Sequence, residues 1–446
     1  MFCNGEKVMD ILKGKIRPMF YKYLVAASGS ALVASIFGIV DAMMVGKYHG
    51  PAGTAALAVF NPLWSIIFCL GLLAGIGGSV LFAKCRGAGD EETAQQYFTL
   101  SIAYGLALSA VATVAIGVFQ DPLFRLFGAD DELLHLAKQY LKPILFAIPC
   151  CVFSNILSAY LRNDNAPTLA TVAVIVGGVF NCFGDYYCVF VLDMGIYGAG
   201  LATAIGQFIG IVIMLLHFLR KKNTLRFVRP AKALQKLKSI SITGFSTAIS
   251  DLAMGIIGVL FNRQIMAYLG GDALAVYGII TQITAFAQCL AYGTGQAAQP
   301  IISQNYGAGQ YARIRECLRY GLYTSAAMGI FWVGVMLAFP NAIMGFFMTP
   351  TPSVAAIAPG ILRVYGLSYA LLPFNLFATY YFQALMKASL SVISSVARGA
   401  VISGAMILLL PQLLGAGSIW YAMLITEALV AAYSAYYMLR CTKSLR

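Results

Sequence analysis

The feature that most constrains this chain is the run Leu24–Val45, LVAASGSALVASIFGIVDAMMV. About 20 apolar residues in a helix cross the hydrocarbon core of a bilayer, and this run is long enough. It contains one carboxylate, Asp41. A charge near the centre of a membrane helix costs about 2.5–3.5 kcal/mol on insertion scales. Chains that keep such a group commonly use it to hold a cation or a proton, so the functional reading starts from Asp41.

The rest of the chain repeats the pattern. Hydrophobic residues make up 60% and charged residues 11%, against about 45–50% and 25% in a soluble domain. With a mean hydropathy of +0.79, the chain reads as a polytopic membrane protein. Its net charge of +13 does not point to nucleic acid, because the cations sit between apolar spans, as the positive-inside rule requires. The ten cysteines are scattered. Cys69, Cys182 and Cys289 lie inside spans, and the adjacent Cys150 and Cys151 do not have metal-ligand spacing. They read as small packing residues. His49, His135 and His217 are isolated, so no metal centre is expected. The first apolar run is too long for a signal peptide and reads as a first membrane helix. Ahead of it, Val8, Ile11, Leu12 and Ile16 among Lys7, Lys13, Lys15 and Arg17 suggest an interfacial amphipathic helix.

Twelve apolar segments can be marked, at 20–45, 55–83, 93–119, 132–161, 167–191, 198–220, 240–268, 273–303, 315–339, 353–385, 391–411 and 417–440. Only helices or closed barrels satisfy backbone groups in lipid, and no strand-like alternation is present, so the expected fold is all-α. Alternate connections are basic: Lys84 and Arg86, Arg162, the run from Arg220 to Lys238, Arg313 to Arg319, and Lys387. The others are acidic or neutral, with Asp121, Asp130, Asp131 and Glu132, then Asp193, then Asp272. Both termini and the central loop are therefore expected in the cytoplasm. That loop divides the chain into a six-helix lobe at 1–222, a basic linker at 223–238 and a second six-helix lobe at 239–446. Traces of a repeat support the division. Ala56-Leu57-Ala58-Val59-Phe60 recurs as Ala273-Leu274-Ala275-Val276-Tyr277, and Gly87-Ala88-Gly89 as Gly307-Ala308-Gly309. Six helices per half start both halves on the same side, which makes the repeats parallel.

Four carboxylates lie well inside spans: Asp41, Asp185, Asp251 and Glu427. At 1.5 Å per helical residue, Asp41 lies about 6 Å in from Val45 and Asp185 about 9 Å in from Val191. Asn181, one turn from Asp185, lies about 15 Å in, and Thr203 about 8 Å below Gly198. Oxygen-bearing side chains of the first, fifth and sixth helices thus share one slab. Hard oxygen ligands suit a small cation, and two nearby carboxylates could instead share a proton. The bland alternative is hydrogen-bonded packing between helices. Asp251 and Glu427 lie nearer the midplane of the second half. Arg263, Arg363 and Arg398 are in spans of the same half and could simply pair with them. In the eighth helix, the small polar segment from Tyr292 to Pro300, with Gln296 at its centre, could line a path or permit close packing.

The chain resembles the MATE (multidrug and toxic compound extrusion) transporters over nearly all its length. The resemblance is carried by Ile39-Val40-Asp41-Ala42-Met43-Met44-Val45-Gly46, by Asn181-x-x-x-Asp185-Tyr186 and by Gly198-Ala199-Gly200-Leu201-Ala202-Thr203. The second half adds Gly295 to Pro300 and Asn305-Tyr306-Gly307-Ala308-Gly309, followed by Arg313. It implies two six-helix lobes exchanging between outward-open and inward-open forms, and export of organic cations against Na⁺ or H⁺. By position, Asp41, Asn181, Asp185 and Thr203 match the coupling-ion site, and Glu427 an acidic position of the twelfth helix. Asp251 and Gln296 join Glu427 as candidates for a substrate or proton site. The chain departs from the family in lacking a first-helix proline near Ala26 or Ala27. Its nearest acid to a seventh-helix glutamate position is Asp251, a turn away.

The expectation is a secondary active exporter of small organic cations. It needs no cofactor beyond the coupling ion and no metal beyond Na⁺ at the Asp41 site, and it sits in the plasma membrane as a monomer. A lipid-linked precursor flippase is the alternative, but such proteins present a cationic cavity where this chain has acids. A membrane enzyme would need a cluster of His, Asp or Ser near one interface, and a receptor or scaffold would not need the buried acids.

Overall fold

A computed structural model describes residues 11–347 and 351–445, without the side chains of residues 34, 51, 251, 252, 254 and 256. All regular structure among the described residues is helical. Twelve long helices follow one another: α1 Ile16–Gly50, α2 Ala52–Gly87, α3 Glu91–Leu126, α4 Asp131–Asn163, α5 Pro167–Val191 and α6 Gly195–Leu219, then α7 Ala233–Tyr268, α8 Gly270–Gly307, α9 Tyr311–Ala338, α10 Pro352–Ala384, α11 Ala388–Leu414 and α12 Ala416–Ser444. Eleven of them are long and apolar enough to cross a membrane, and α7 occupies the seventh apolar segment. An all-α polytopic membrane protein follows from the apolar runs.

The ends of the helices have local causes. Asp90 accepts from the Thr93 amide at 3.0 Å and Asp130 from the Leu133 amide at 2.9 Å, each capping orphan donors of a first turn. Acids follow both caps, where the helix dipole favours them. Between α1 and α2 the break is sharper than the sequence suggests. Only Gly50 leaves helical geometry, at φ 64° and ψ −148°, a region that glycine enters without a steric penalty. The amphipathic helix expected before α1 is not formed where the chain is described. Residues 11–14 make a turn, with Ile11 fully buried rather than facing lipid. Its carbonyl accepts from Asn305. Lys7 and Val8 lie outside the described residues.

The chain forms two compact units. Among the described residues, one is Val25–Ala248 with 11–15 and Ser303–Gly309; the other is Ile249–Ile302, 310–347 and 351–445 with Ile16–Leu24. In the first, Phe60, Phe124, Tyr140, Ile144 and Ile148 form one core and Phe82, Phe98 and Tyr160 another. In the second, Phe261 stacks on Tyr277 at 4.9 Å between ring centroids, beside Tyr365 and Tyr369.

The repeated Gly-Ala-Gly motifs meet inside the first unit. A Cβ on Gly87 would collide with the Gln304 carbonyl, and one on Gly307 with the Lys84 carbonyl. The two collisions are equivalent, since each glycine faces the carbonyl three residues before its counterpart. The motifs therefore mark a pseudo-symmetric crossing where α2 and the end of α8 touch backbone to backbone. Gly307→Ala is expected to cost about 1–3 kcal/mol through overpacking. Thermal unfolding in detergent measures this, and an unchanged midpoint would contradict so tight a crossing.

A second fixture joins the ends of α2, α4 and α6. Asp164 follows α4 with its side chain 1% exposed. It accepts from Arg86 Nη1 at 2.8 Å, from the Thr224 amide at 3.0 Å and from the Thr224 hydroxyl. It also faces His217 Nε2 at 2.7 Å. Burial pushes the Asp164 carboxyl up, but the hydrogen bonds from His217, Thr224 and Arg86 outweigh it and hold it below the ordinary carboxylate range. A carboxyl depressed in the folded state stabilises fully above its unfolded value, about pH 4. That stabilisation is lost as pH falls through the folded value. Asp164→Asn is therefore expected to cost about 3 kcal/mol near neutral pH. The gap to the parent's unfolding midpoint should narrow as the medium is acidified through the carboxylate range. A gap that is constant with pH would show that the carboxylate's charge is not what holds these ends.

Candidate functional site

The site in the first unit is built by close helix crossings. Gly177 of α5 and Gly206 of α6 face each other, and a Cβ on either would lie 2.5–2.6 Å from the other's carbonyl oxygen. One turn along α5, Asn181 therefore reaches α6, donating from Nδ2 to Thr203 Oγ1 at 3.2 Å. The same amide donates to Asp185 Oδ1 at 3.2 Å. On the other side of Thr203, Gly200 lets α4 approach until a Cβ there would lie 2.5 Å from the Tyr140 carbonyl. That approach puts the Tyr140 hydroxyl beside Thr203. It donates to Asp41 Oδ2 of α1 at 2.8 Å.

The result is a polar chain, Asp41–Tyr140–Thr203–Asn181–Asp185, drawn from four helices. Asp185 is fully buried, and Asp41 and Asn181 are 9% and 8% exposed. The two carboxylates are close enough to feel each other's charge. One oxygen of each, Asp41 Oδ1 and Asp185 Oδ2, is buried without a hydrogen-bond partner among the described residues. Leaving such an atom unsatisfied is costly, and a cation or a proton would relieve both. Just past Asp185, α5 makes a π-helical turn at Tyr187–Val191, an irregularity frequent at functional sites.

Asp41, Asn181, Asp185 and Thr203 thus come together, with Tyr140 as an addition from α4. A tyrosine in a membrane helix carries no mark in the sequence. Its role comes only from the crossing at Gly200.

The second unit treats its acid differently. Glu427 is fully buried. Arg398 Nε donates to its Oε1 at 2.7 Å, and Asn375 Nδ2 to its Oε2 at 2.6 Å. Asn375 also bonds the Glu427 backbone carbonyl at 2.9 Å. Both oxygens are therefore taken up by Arg398 and Asn375, and neither by Gln296, which is half-buried on α8. Beside it, Gly295 packs directly on the Tyr380 ring, so this part of the small polar segment serves close packing. Arg398 lies in a π-helical turn of α11, Ala397–Val401. Arg263 and Arg363 are exposed. The side chain of Asp251 lies outside the described residues.

The MatE family model matches residues 26–187 and again 247–409. The chain belongs to the MatE family. The model thus matches twice, once in each half of the chain. Among curated relatives, the Multidrug export protein MepA of Staphylococcus saprophyticus is 25% identical over 92% of this chain and 91% of its own length. Two solved structures have the same fold, each covering 99% of both chains at a TM-score of 0.90. One is a MOP superfamily transporter from Pyrococcus furiosus at 21% identity. The other is a multidrug resistance MATE family transporter in an outward-facing conformation at 22%. This MatE protein is thus a multi-pass membrane transporter with the two-lobe fold of its family.

Proposed function

We propose that the protein is a secondary active exporter of organic cations, driven by Na⁺ or H⁺ that binds at Asp41 and Asp185. The observation that carries this reading is the pair of buried carboxylate oxygens without partners, held by α1 and α5 in one polar chain. Asp41 and Asp185 would bind the ion, Thr203 and Asn181 would add neutral oxygens for Na⁺, and Tyr140 would orient Asp41. Loading the site removes the repulsion between two desolvated carboxylates. That shifts the balance between arrangements exposing the site to opposite sides of the membrane, and about 1.4 kcal/mol of difference changes their ratio tenfold. Coupling then requires that ion and substrate favour different arrangements. The name of the MepA relative supports drugs as substrates. The lysine and arginine distribution supports placing both termini and the linker 223–238 in the cytoplasm.

Export of ethidium from proteoliposomes under an imposed Na⁺ or pH gradient tests the reading. Export that follows one of the two gradients is the expected result. No cation movement under either gradient would contradict it.

A further inference from the structure

We propose that the linker after α6 is a docking surface for the anionic headgroups of the leaflet at that end of the helices. Residues 219–239 carry eight cations and no acid. A run of this kind could be a mobile tether, but its backbone is fixed. Gln95 of α3 donates to the Thr224 carbonyl at 2.8 Å and accepts from the Arg226 amide at 2.8 Å. Thr99 accepts from the Val228 amide at 3.0 Å, and Gln96 from the Ala231 amide at 3.2 Å. The Asp164 fixture holds the start at Thr224, and Leu225 is buried beneath it. An extended segment is therefore laid along the first turns of α3, with its polar backbone satisfied from one side.

Pinning sends several of the segment's side chains outward, while Lys236 turns back to donate to Gln96. Arg220, Lys221, Arg226 and Arg229 are exposed, and between and beside them Leu219, Phe227 and Leu234 are 83%, 64% and 83% exposed. Bare leucine and phenylalanine among cations are unfavourable against water. Against a bilayer surface they suit the boundary between headgroups and acyl chains, while the cations meet phosphate. Clustered cations next to a membrane helix bind anionic lipid electrostatically, and a preset backbone reduces the ordering cost of that binding. The inference rests on the membrane fold and not on the export reading. Failed ethidium export leaves it standing.

The test is the thermal unfolding midpoint of the full chain in mixed micelles with phosphatidylcholine or with phosphatidylglycerol. A lipid that binds the folded state raises the midpoint. Phosphatidylglycerol is expected to raise it more than phosphatidylcholine, and high salt to shrink the difference. A variant carrying Arg220→Gln, Lys221→Gln, Arg226→Gln and Arg229→Gln should keep the phosphatidylcholine midpoint and lose at least half of the extra rise. A control with Arg17→Gln, Arg319→Gln, Lys387→Gln and Lys443→Gln should keep most of it. Equal effects of the two lipids on the parent would overturn the proposal. So would a linker variant that keeps more than half the rise, or a control that loses as much. A rise with heparin but not with phosphatidylglycerol would assign the surface to a soluble polyanion instead.

Discussion

Asp41→Asn is expected to reduce gradient-driven export by at least tenfold while leaving the protein folded. The amide can still accept the Tyr140 hydrogen bond at the position of Oδ2, 2.8 Å away, so packing against α4 survives. What is lost is the negative charge, and with it the affinity for a cation or the capacity to take up a proton. The loss of a single desolvated carboxylate exceeds the ~1.4 kcal/mol that a tenfold change requires. Asp185→Asn should act in the same direction, because Asp185 also carries a buried oxygen without a partner. Ethidium efflux from proteoliposomes, normalised to folded protein, reads both. Full export in both variants would remove the coupling role from this site.

The second large effect concerns stability. Arg398→Ala is expected to destabilise the protein by about 3–5 kcal/mol, the usual cost of leaving one member of a buried ion pair uncompensated. Glu427 is fully buried, and among the described residues only Asn375 would remain to satisfy its carboxylate. Adding Glu427→Gln to Arg398→Ala should recover most of the loss, because the stranded charge disappears with its partner. Detergent unfolding midpoints of the two single variants and the double variant form the cycle that isolates the coupling. Additive losses would show that the pair is not an isolated ionic unit. Glu427 thus has a fixed cationic partner, and Asp41 has none among the described residues.

The twelve helices were legible because apolar runs of membrane-spanning length leave few alternatives. The ion-site candidates were legible for a related reason: an acid stands out in an apolar run, and Asn181 lies one turn from Asp185 on the same face. The partners were not legible. Arg263, Arg363 and Arg398 all lie in spans of the second half, and the choice of Arg398 depends on helix rotation set by packing. Tyr140 enters through the crossing at Gly200, which looks like any other glycine in an apolar helix. Asp164 reads as a turn residue after α4, and the linker as a charged tether. Their fixed arrangement depends on contacts that α2, α3 and α6 make only after the unit has packed. The Gly-Ala-Gly repeats were visible as repeats, but not as the two sides of one crossing.

The most direct test of the central claim runs transport in reverse. Proteoliposomes given only an ethidium gradient should drive Na⁺ or H⁺ in the opposite direction, read with ion-specific fluorescent dyes. Movement of one of these ions in the parent, absent in Asp41→Asn and Asp185→Asn, is the predicted result. Ion movement that persists in both variants would contradict it and place the coupling elsewhere in the chain.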